Sequence, residues 1–130
     1  MAECSWAILC DYSFLDVSRK MCLIGIFDRV WAQAVPTTHH QAALALKLIG
    51  DPNEKVAMKV EIVRPAGGVL ATLGGEVTLG DTGSGEFNMN IAGLPLPDFG
   101  LYAFNIYLNE KLEKTVGFSV DKPQSPPKVG

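Results

Sequence analysis

The stretch DFGLYAF, residues 98–104, decides the fold class more than any other part of this 130-residue chain. Its Asp-Phe-Gly start favours a tight turn, because Asp side chains bond to nearby backbone and Gly accepts a positive φ. From Tyr102 onward, large apolar side chains occur at every second position, with Phe104, Ile106 and Leu108 following. A period of two is typical of a half-buried β-strand. The stretch therefore predicts a turn that leads directly into an amphipathic strand.

The same alternation extends over most of the chain, and Gly, Pro, Asn and Asp mark the turns between the segments. Segment 40–49 is rich in Ala and Leu and has a high helix propensity, but the alternation of Leu44, Leu46 and Leu48 favours a strand. Residues 28–40, which include a proline, are predicted as a crossing loop. We therefore predict an all-β domain of seven to eight mostly antiparallel strands, covering approximately residues 8–14, 21–27, 44–48, 56–62, 69–79, 86–91, 102–108 and 112–120.

The first two predicted strands form a hairpin, and the length of its loop fixes their register. If residues 17–18 are the loop, Tyr12 lies opposite Leu23, and Ile8 lies opposite Phe27. In this register the apolar side chains of both strands share one face. This face, which in the first strand carries the even-numbered residues, is predicted to belong to the core.

Composition and charge restrict the possible partners of the domain. Only 19% of the residues are charged, the net charge is −3, and the 11 basic residues are scattered without forming a stripe. Binding to nucleic acid or to an anionic membrane begins with a cluster of cations, so neither partner is expected. No apolar run reaches the ~18–20 residues that a membrane-spanning helix needs.

The start of the chain and its cysteines predict a cytoplasmic protein. The first residues are Met-Ala-Glu-Cys, and they lack the basic segment and the long apolar run of a secretory signal. The three cysteines, Cys4, Cys10 and Cys22, all lie near the start of the chain. A secreted disulfide framework more often has an even, distributed set, so we expect reduced thiols.

The composition is 48% hydrophobic, which leaves more apolar surface than one core face per strand uses. Small or aliphatic residues lie on the opposite faces of the first hairpin and of the third predicted strand, and exposed patches of this kind mark interfaces. We therefore predict a non-enzymatic protein-binding or self-assembling module, most simply a homo-oligomer, whose partner is another protein or a second copy of itself. The predicted interface residues, with the acid among them bonding across the interface, are Leu9, Asp11, Ile24, Ile26, Ala43 and Ala45.

The residue types of catalytic and metal chemistry show no recognisable arrangement. The only imidazoles are those of His39 and His40, which are adjacent and point in opposite directions on an extended chain. No spacing typical of a metal site or a catalytic triad occurs, so no catalytic residue, metal or cofactor is predicted. The alternative function is a small-ligand or metal-binding domain, with its site in the loops around Asp28, His39 and Asp81. In that alternative, Asp11 or Asp28 supplies an oxygen ligand beside His39.

The DFGLYAF stretch resembles the tyrosine corner of immunoglobulin-like domains, in which an Asp-x-Gly-x-Tyr element opens the penultimate strand. In those domains the tyrosine hydroxyl bonds to nearby backbone, and a core cysteine follows two residues later. A phenylalanine occupies the cysteine position here. The resemblance implies an immunoglobulin-like β-sandwich with four structural positions in this stretch, which are Asp98, Gly100, Tyr102 and Phe104.

Nearly the whole chain is similar to a family of small, stand-alone bacterial proteins, classed as a domain of unknown function with an immunoglobulin-like β-sandwich. The family brings no known reaction, cofactor or partner, so the resemblance implies a fold and not an activity. It implies one domain over residues 1–120, and the proline-rich residues 121–130 are predicted to be a disordered tail. The residues that carry the resemblance are Ala7–Tyr12, Lys20, Ile24–Asp28, Pro36, His39, Leu44–Leu48, Phe99–Phe104 and Val120.

Overall fold

Residues 1–124 are described by the computed structural model, and they form nine β-strands in two sheets. The strands are β1 (Glu3–Leu15), β2 (Met21–Ile26), β3 (Arg29–Trp31), β4 (Thr37–Ile49), β5 (Lys55–Val63), β6 (Val69–Thr78), β7 (Ser84–Leu96), β8 (Gly100–Leu108) and β9 (Lys111–Asp121). The all-β prediction is confirmed. These residues include no helix of the length and hydropathy needed to cross a lipid bilayer.

The first sheet has the strand order β2-β1-β4-β7, and the second sheet has the order β3-β9-β8-β5-β6. Neighbouring strands are antiparallel, except that β3 runs parallel to β9. The predicted loop over residues 28–40 is wrong in part, because it contains β3 and the beginning of β4. The three residues of β3 pair with a strand at the other end of the chain, and a local pattern carries no signal of such a pairing.

The core lies between the two sheets and is built from the alternating apolar faces. The leucines of β4 are fully buried, and the strand predicted for this segment is confirmed. On the second sheet, the ring of Phe118 stacks on Tyr102 with 5.1 Å between centroids and lies 5.9 Å from the ring of Phe104. Aromatic rings at such distances add to the stability that burial alone provides.

A network of hydrogen bonds fixes the turn before β8. The backbone N–H of Asp98 donates to the Tyr102 hydroxyl at 2.9 Å, and that hydroxyl donates to the Asp98 carbonyl at 2.8 Å. Burial raises the pKa of Tyr102, which keeps the hydroxyl protonated and able to donate. Arg64, just beyond β5, donates to the Asp98 carboxylate at 2.8 Å. The turn is therefore held to the beginning of β8 and to the end of β5.

The hairpin between β1 and β2 has a three-residue loop, so the predicted register is wrong by one residue. The N–H of Asp16 donates to the Lys20 carbonyl at 2.9 Å, and Arg19 in the loop has a positive φ of 63°. This is the geometry of a turn followed by one left-handed residue, in which Gly is more usual. Tyr12 consequently lies opposite Ile24 and not opposite Leu23.

The predicted core face of β1 is also wrong, because β1 takes its orientation from β4. Leu9 lies opposite Leu44, so it faces the core, and it is 2% exposed. Cys10 lies opposite Ala43, and Ile8 shares that outer face. Since side chains alternate along a strand, one core-facing position fixes the orientation of its neighbours.

The last strand extends one residue beyond the predicted end of the domain. Asp121 belongs to β9, pairs with Trp31 of β3 and forms an ion pair with Arg29 at 3.0 Å. Residues 125–130, which make up most of the predicted disordered tail, lie outside the described residues.

Candidate functional site

The first hairpin, residues 11–26, leaves the first sheet and folds back over it. β1 pairs with β4 only as far as Cys10, and beyond that point it pairs only with β2. Asn88 of β7 donates from Nδ2 to the Ser13 carbonyl at 3.2 Å and to the Ser13 hydroxyl at 3.3 Å. Because β4 lies between β1 and β7 in the sheet, these bonds carry the first hairpin across the outer face of β4.

The first hairpin covers a row of small residues on that outer face. Cys10, Ala43 and Ala45 point away from the core, yet all three are 0% exposed. The Cys10 thiol donates to the Ala43 carbonyl at 3.6 Å, and burial and the neighbouring Asp11 both raise its pKa. The expectation that a partner covers Ala43 and Ala45 is therefore corrected, since the chain covers them itself. Leu9 lies in the core. The predicted interface residues Leu9, Ala43 and Ala45 therefore offer no surface to a partner.

The outer side of the first hairpin carries the apolar surface instead. Tyr12 is 54% exposed, Phe14 45%, Ile24 54% and Ile26 66%. They share one face because they are even-numbered residues of two strands in which even-numbered residues lie opposite each other. Tyr12 is opposite Ile24, Phe14 is opposite Cys22, and Ile26 is opposite Cys10. These four residues are called the apolar hairpin face. Sequence reasoning placed Ile24 and Ile26 outside the core but missed Tyr12 and Phe14, because the register it used reversed their face.

The base of the first hairpin is closed by a pair of titratable residues. Asp11 Oδ1 lies 3.0 Å from His39 Nε2, and the imidazole rests against the ring of Phe27 at 5.2 Å between centroids. Gly25 has a φ of +73°, and a Cβ on it would lie 2.5 Å from Asp11 Oδ2. The glycine therefore leaves room for the Asp11 carboxylate where the first hairpin bends away from the sheet. Asp11 was predicted to bond across an interface, but in the structure it bonds to His39 of its own chain.

A small cleft of about 240 Å³ opens beside the Asp11–His39 pair. Its remaining lining comes from Tyr12, Thr38, His40 and Gln41. The acid and the imidazole bond to each other, and nowhere in residues 1–124 do three or more His, Cys, Asp or Glu side chains come together as a metal site would require.

Of the residues of the predicted ligand site, Asp11 lies beside His39, but Asp81 does not join them. His39 lies near the beginning of β4, whereas Asp81 lies in the loop before β7, beside the far end of β4, where Gly50 donates to the Gly83 carbonyl at 2.7 Å. A strand rises about 3.4 Å per residue, so the two ends of β4 are more than ~30 Å apart. Asp28 lies between β2 and β3, and its carbonyl accepts from the N–H of Ser119, whereas the carboxylate that bonds to His39 is that of Asp11. The predicted grouping of Asp28, His39 and Asp81 is wrong.

A larger cleft of about 710 Å³ lies at the end of β9. The Arg29 guanidinium sits 5.1 Å from the centre of the Trp31 ring, and the same guanidinium pairs with Asp121. The rest of the lining is Lys122, Pro123 and Gln124, at the end of the described chain. Sequence reasoning missed Trp31 because it assigned this segment to a loop.

Residues 5–121 match the model of a protein family described as a family of unknown function (DUF6941), and the chain therefore belongs to that family. The predicted membership of a family without a known function is confirmed. A search of curated proteins finds no match.

Several solved structures are similar to this chain over part of their length. The alkylpurine DNA glycosylase AlkC of Pseudomonas fluorescens, solved with DNA containing an abasic site analog, is similar with a TM-score of 0.60 and 9% identity, over 92% of this chain and 30% of that chain. A β-glucuronidase of glycoside hydrolase family 2 has a TM-score of 0.46 and 14% identity, over 62% of this chain and 10% of that chain. This chain thus spans less than a third of either protein. At 9% identity, the likeness to the glycosylase concerns the fold alone.

Proposed function

We propose that this chain, as a member of the DUF6941 family of unknown function, is a non-enzymatic self-assembling module that binds a second copy of itself through the first hairpin. The observation that carries the proposal is the exposure of four large apolar side chains on one side of the first hairpin. A contiguous exposed apolar patch on a folded domain is typical of an interface. Leu15 and Val17, at the tip of the same hairpin, are exposed as well.

The absence of charge on the apolar hairpin face favours a second copy as the occupant. A two-fold axis places a patch against itself, so any charge near its centre would meet a like charge. Both acids of the first hairpin are bonded within the chain. Asp11 bonds to His39, and the Asp16 carboxylate accepts from the N–H groups of Ser18 at 2.8 Å and Lys20 at 2.9 Å. The surface can therefore meet its own copy without opposing carboxylates.

We also infer that the two sheets have the connectivity of an immunoglobulin-like sandwich. Three features support this inference. They are the order β1-β4-β7 within the first sheet, the order β9-β8-β5-β6 in the second sheet, and the parallel pairing of β3 with β9. The hydrogen bonds between Tyr102 and the Asp98 backbone agree with a tyrosine corner. Such a sandwich hosts many functions, so the role of this chain rests on the first hairpin and not on the fold.

A cytoplasmic location is part of the same proposal. Cys4, Cys10 and Cys22 are free thiols, which suits a reducing compartment. Burial raises the pKa of Cys4 as well as that of Cys10, so both thiols stay protonated and unreactive at neutral pH.

Substitution of Ile24 by lysine tests the proposed self-assembly. We expect light scattering to give twice the monomer mass for the wild type, and the Ile24→Lys variant to dissociate with a Kd at least tenfold higher. A tenfold change corresponds to about 1.4 kcal/mol. The added charge would have to lose water in the contact with the second copy, which is costly.

The matched control is Leu101→Lys on β8, because Leu101 lies outside the first hairpin and is 66% exposed, against 54% for Ile24. The control should keep the mass of the wild type. A wild type that has the monomer mass at every concentration, or an equal effect of both lysines, would contradict the proposed function.

A further inference from the structure

β2 is an edge strand whose outer backbone groups are free to pair with another strand. In the order β2-β1-β4-β7, β1 is the only strand within residues 1–124 that pairs with β2. Because the N–H of Asp16 bonds to Lys20, the hydrogen-bonded pairs of this antiparallel ladder fall at every second position, which includes Phe14 opposite Cys22. The peptide groups of the residues between, Met21 and Leu23, therefore point away from β1.

The sequence of β2 lacks the features that normally protect an edge. Edge strands are usually guarded by charged side chains, prolines or very short length. β2 reads MCLIGI over residues 21–26 and has neither a charge nor a proline. The positive φ of Gly25 ends the extended part of the strand at Ile24. The extended segment therefore runs from Lys20 to Ile24, and its central residue is Cys22.

We propose that two copies of this chain pair through β2, antiparallel, about a two-fold axis that passes beside Cys22. This proposal rests on the proposed function, because it specifies how the second copy meets the first hairpin. The ligand is an extended strand of the same sequence, which makes the contact a β-augmentation with self-recognition. The two first sheets then join into one sheet across the axis.

The register follows from the backbone groups and from the side chains. Met21 of one copy pairs with Leu23 of the other, so the outward N–H and C=O groups of both residues are bonded. Cys22 lies opposite Cys22 of the second copy, in a position without hydrogen bonds. Lys20 falls opposite Ile24 and not opposite another lysine, so no like charges meet, and its aliphatic stem covers the exposed isoleucine. This register also keeps the apolar hairpin faces of the two copies on one side.

Oxidation of Cys22 reports this register directly. In an antiparallel sheet, a pair without hydrogen bonds has Cα atoms about 4.5 Å apart, and a disulfide accepts about 4.4–6.8 Å. We expect the thiol oxidant diamide, which takes up two electrons and two protons for each disulfide formed, to convert the purified dimer into a covalent dimer on a non-reducing gel. Cys4→Ser should retain this product, and Cys22→Ser should abolish it while leaving the mass in light scattering doubled.

A second variant distinguishes neighbouring registers. In the Cys22→Ser background, Ile24→Cys should cross-link at least tenfold more slowly than the wild type, because position 24 faces Lys20 and not itself. Rapid cross-linking through position 24, or a dimer by mass that forms no Cys22 disulfide, would overturn the pairing of β2 but leave the proposed self-assembly intact. A protein of monomer mass would overturn both.

Discussion

The two edge strands of the first sheet, β2 and β7, both present backbone groups to which a strand of another chain could add. They differ in the features that prevent such an addition. β7 pairs only with β4, and its sequence includes Glu86, Asn90 and Pro95, together with Gly93 at a φ of +74°. Charge, a missing N–H and a distorted backbone all discourage the addition of another strand. β2 has only its left-handed glycine near the end. One edge of the sheet is closed to other chains, and the other is left open.

The difference extends to the side chains that face solvent. On β7 the outer face carries Asn88 and Asn90, and Asn88 is used to hold the first hairpin. On the first hairpin the outer face is apolar. In the proposed self-assembly, a polar face on one edge and an apolar face on the other would direct association toward the first hairpin, on condition that the first hairpin stays folded over the sheet. Three substitutions test this condition.

The largest effect is expected from Ala45→Leu, which enlarges a fully buried side chain beneath the first hairpin. Overpacking of a filled interior costs about 1–3 kcal/mol, and the first hairpin must lift to make room. Urea unfolding should show this loss in the free energy of unfolding. The control is Ala57→Leu on the exposed side of β5, where a surface change within about 0.5 kcal/mol is expected. Equal effects at the two positions would mean that the first hairpin does not cover Ala45.

The next effect is expected from Gly25→Ala, at the bend of β2. An L-residue in the left-handed region costs roughly 1–2 kcal/mol, and the added Cβ displaces the Asp11 carboxylate from its place beside His39. The thermal unfolding midpoint should fall accordingly. Gly75→Ala on the edge strand β6 is a matched control, because a Cβ there meets no atom within 4 Å. A midpoint that falls as much for the control would show that the bend does not depend on Gly25.

A smaller effect is expected from Asn88→Ala, which removes the two bonds to Ser13. The net contribution of such hydrogen bonds is about 1 kcal/mol. Amide hydrogen exchange should become faster in the first hairpin than in β4, because the first hairpin loses its tie to β7. Asn90→Ala, two residues further along the same face of β7, should leave the exchange of the first hairpin unchanged. Unchanged exchange in Asn88→Ala would show that other contacts hold the first hairpin in place.

Alternation predicted the strands well because it records local burial. The turn and strand at residues 98–108 and the strand at Leu44–Leu48 follow from side chains that face the core, and both are present in the structure. β3 was not predicted, because its pairing depends on residues at the other end of the chain. The face of β1 was not predicted either, since it depends on the register with β4.

The candidate site was predicted in part, because Ile24 and Ile26 were placed outside the core and Tyr12 and Phe14 were not. The pattern identified an outer apolar face at Ala43 and Ala45, but alternation does not say what covers a face, and the first hairpin covers this one. The error in the first hairpin began with a single residue, because a third loop residue, Arg19 at a positive φ, is not a usual choice for that position. One additional residue in the loop reversed the predicted face of β1 relative to that of β2.

The parallel pairing of β3 with β9 has a consequence for the order in which the chain folds. Arg29–Trp31 lie near the start of the chain, and their partners Ser119–Asp121 lie close to its end. During synthesis, β3 must therefore wait for almost the entire chain before it can dock, whereas the turn between β1 and β2 is available at once. Closure of so long a loop is entropically costly and slow. The seam between β3 and β9 is consequently expected to form last, and a chain released before Ser119 would leave the second sheet without its outermost strand.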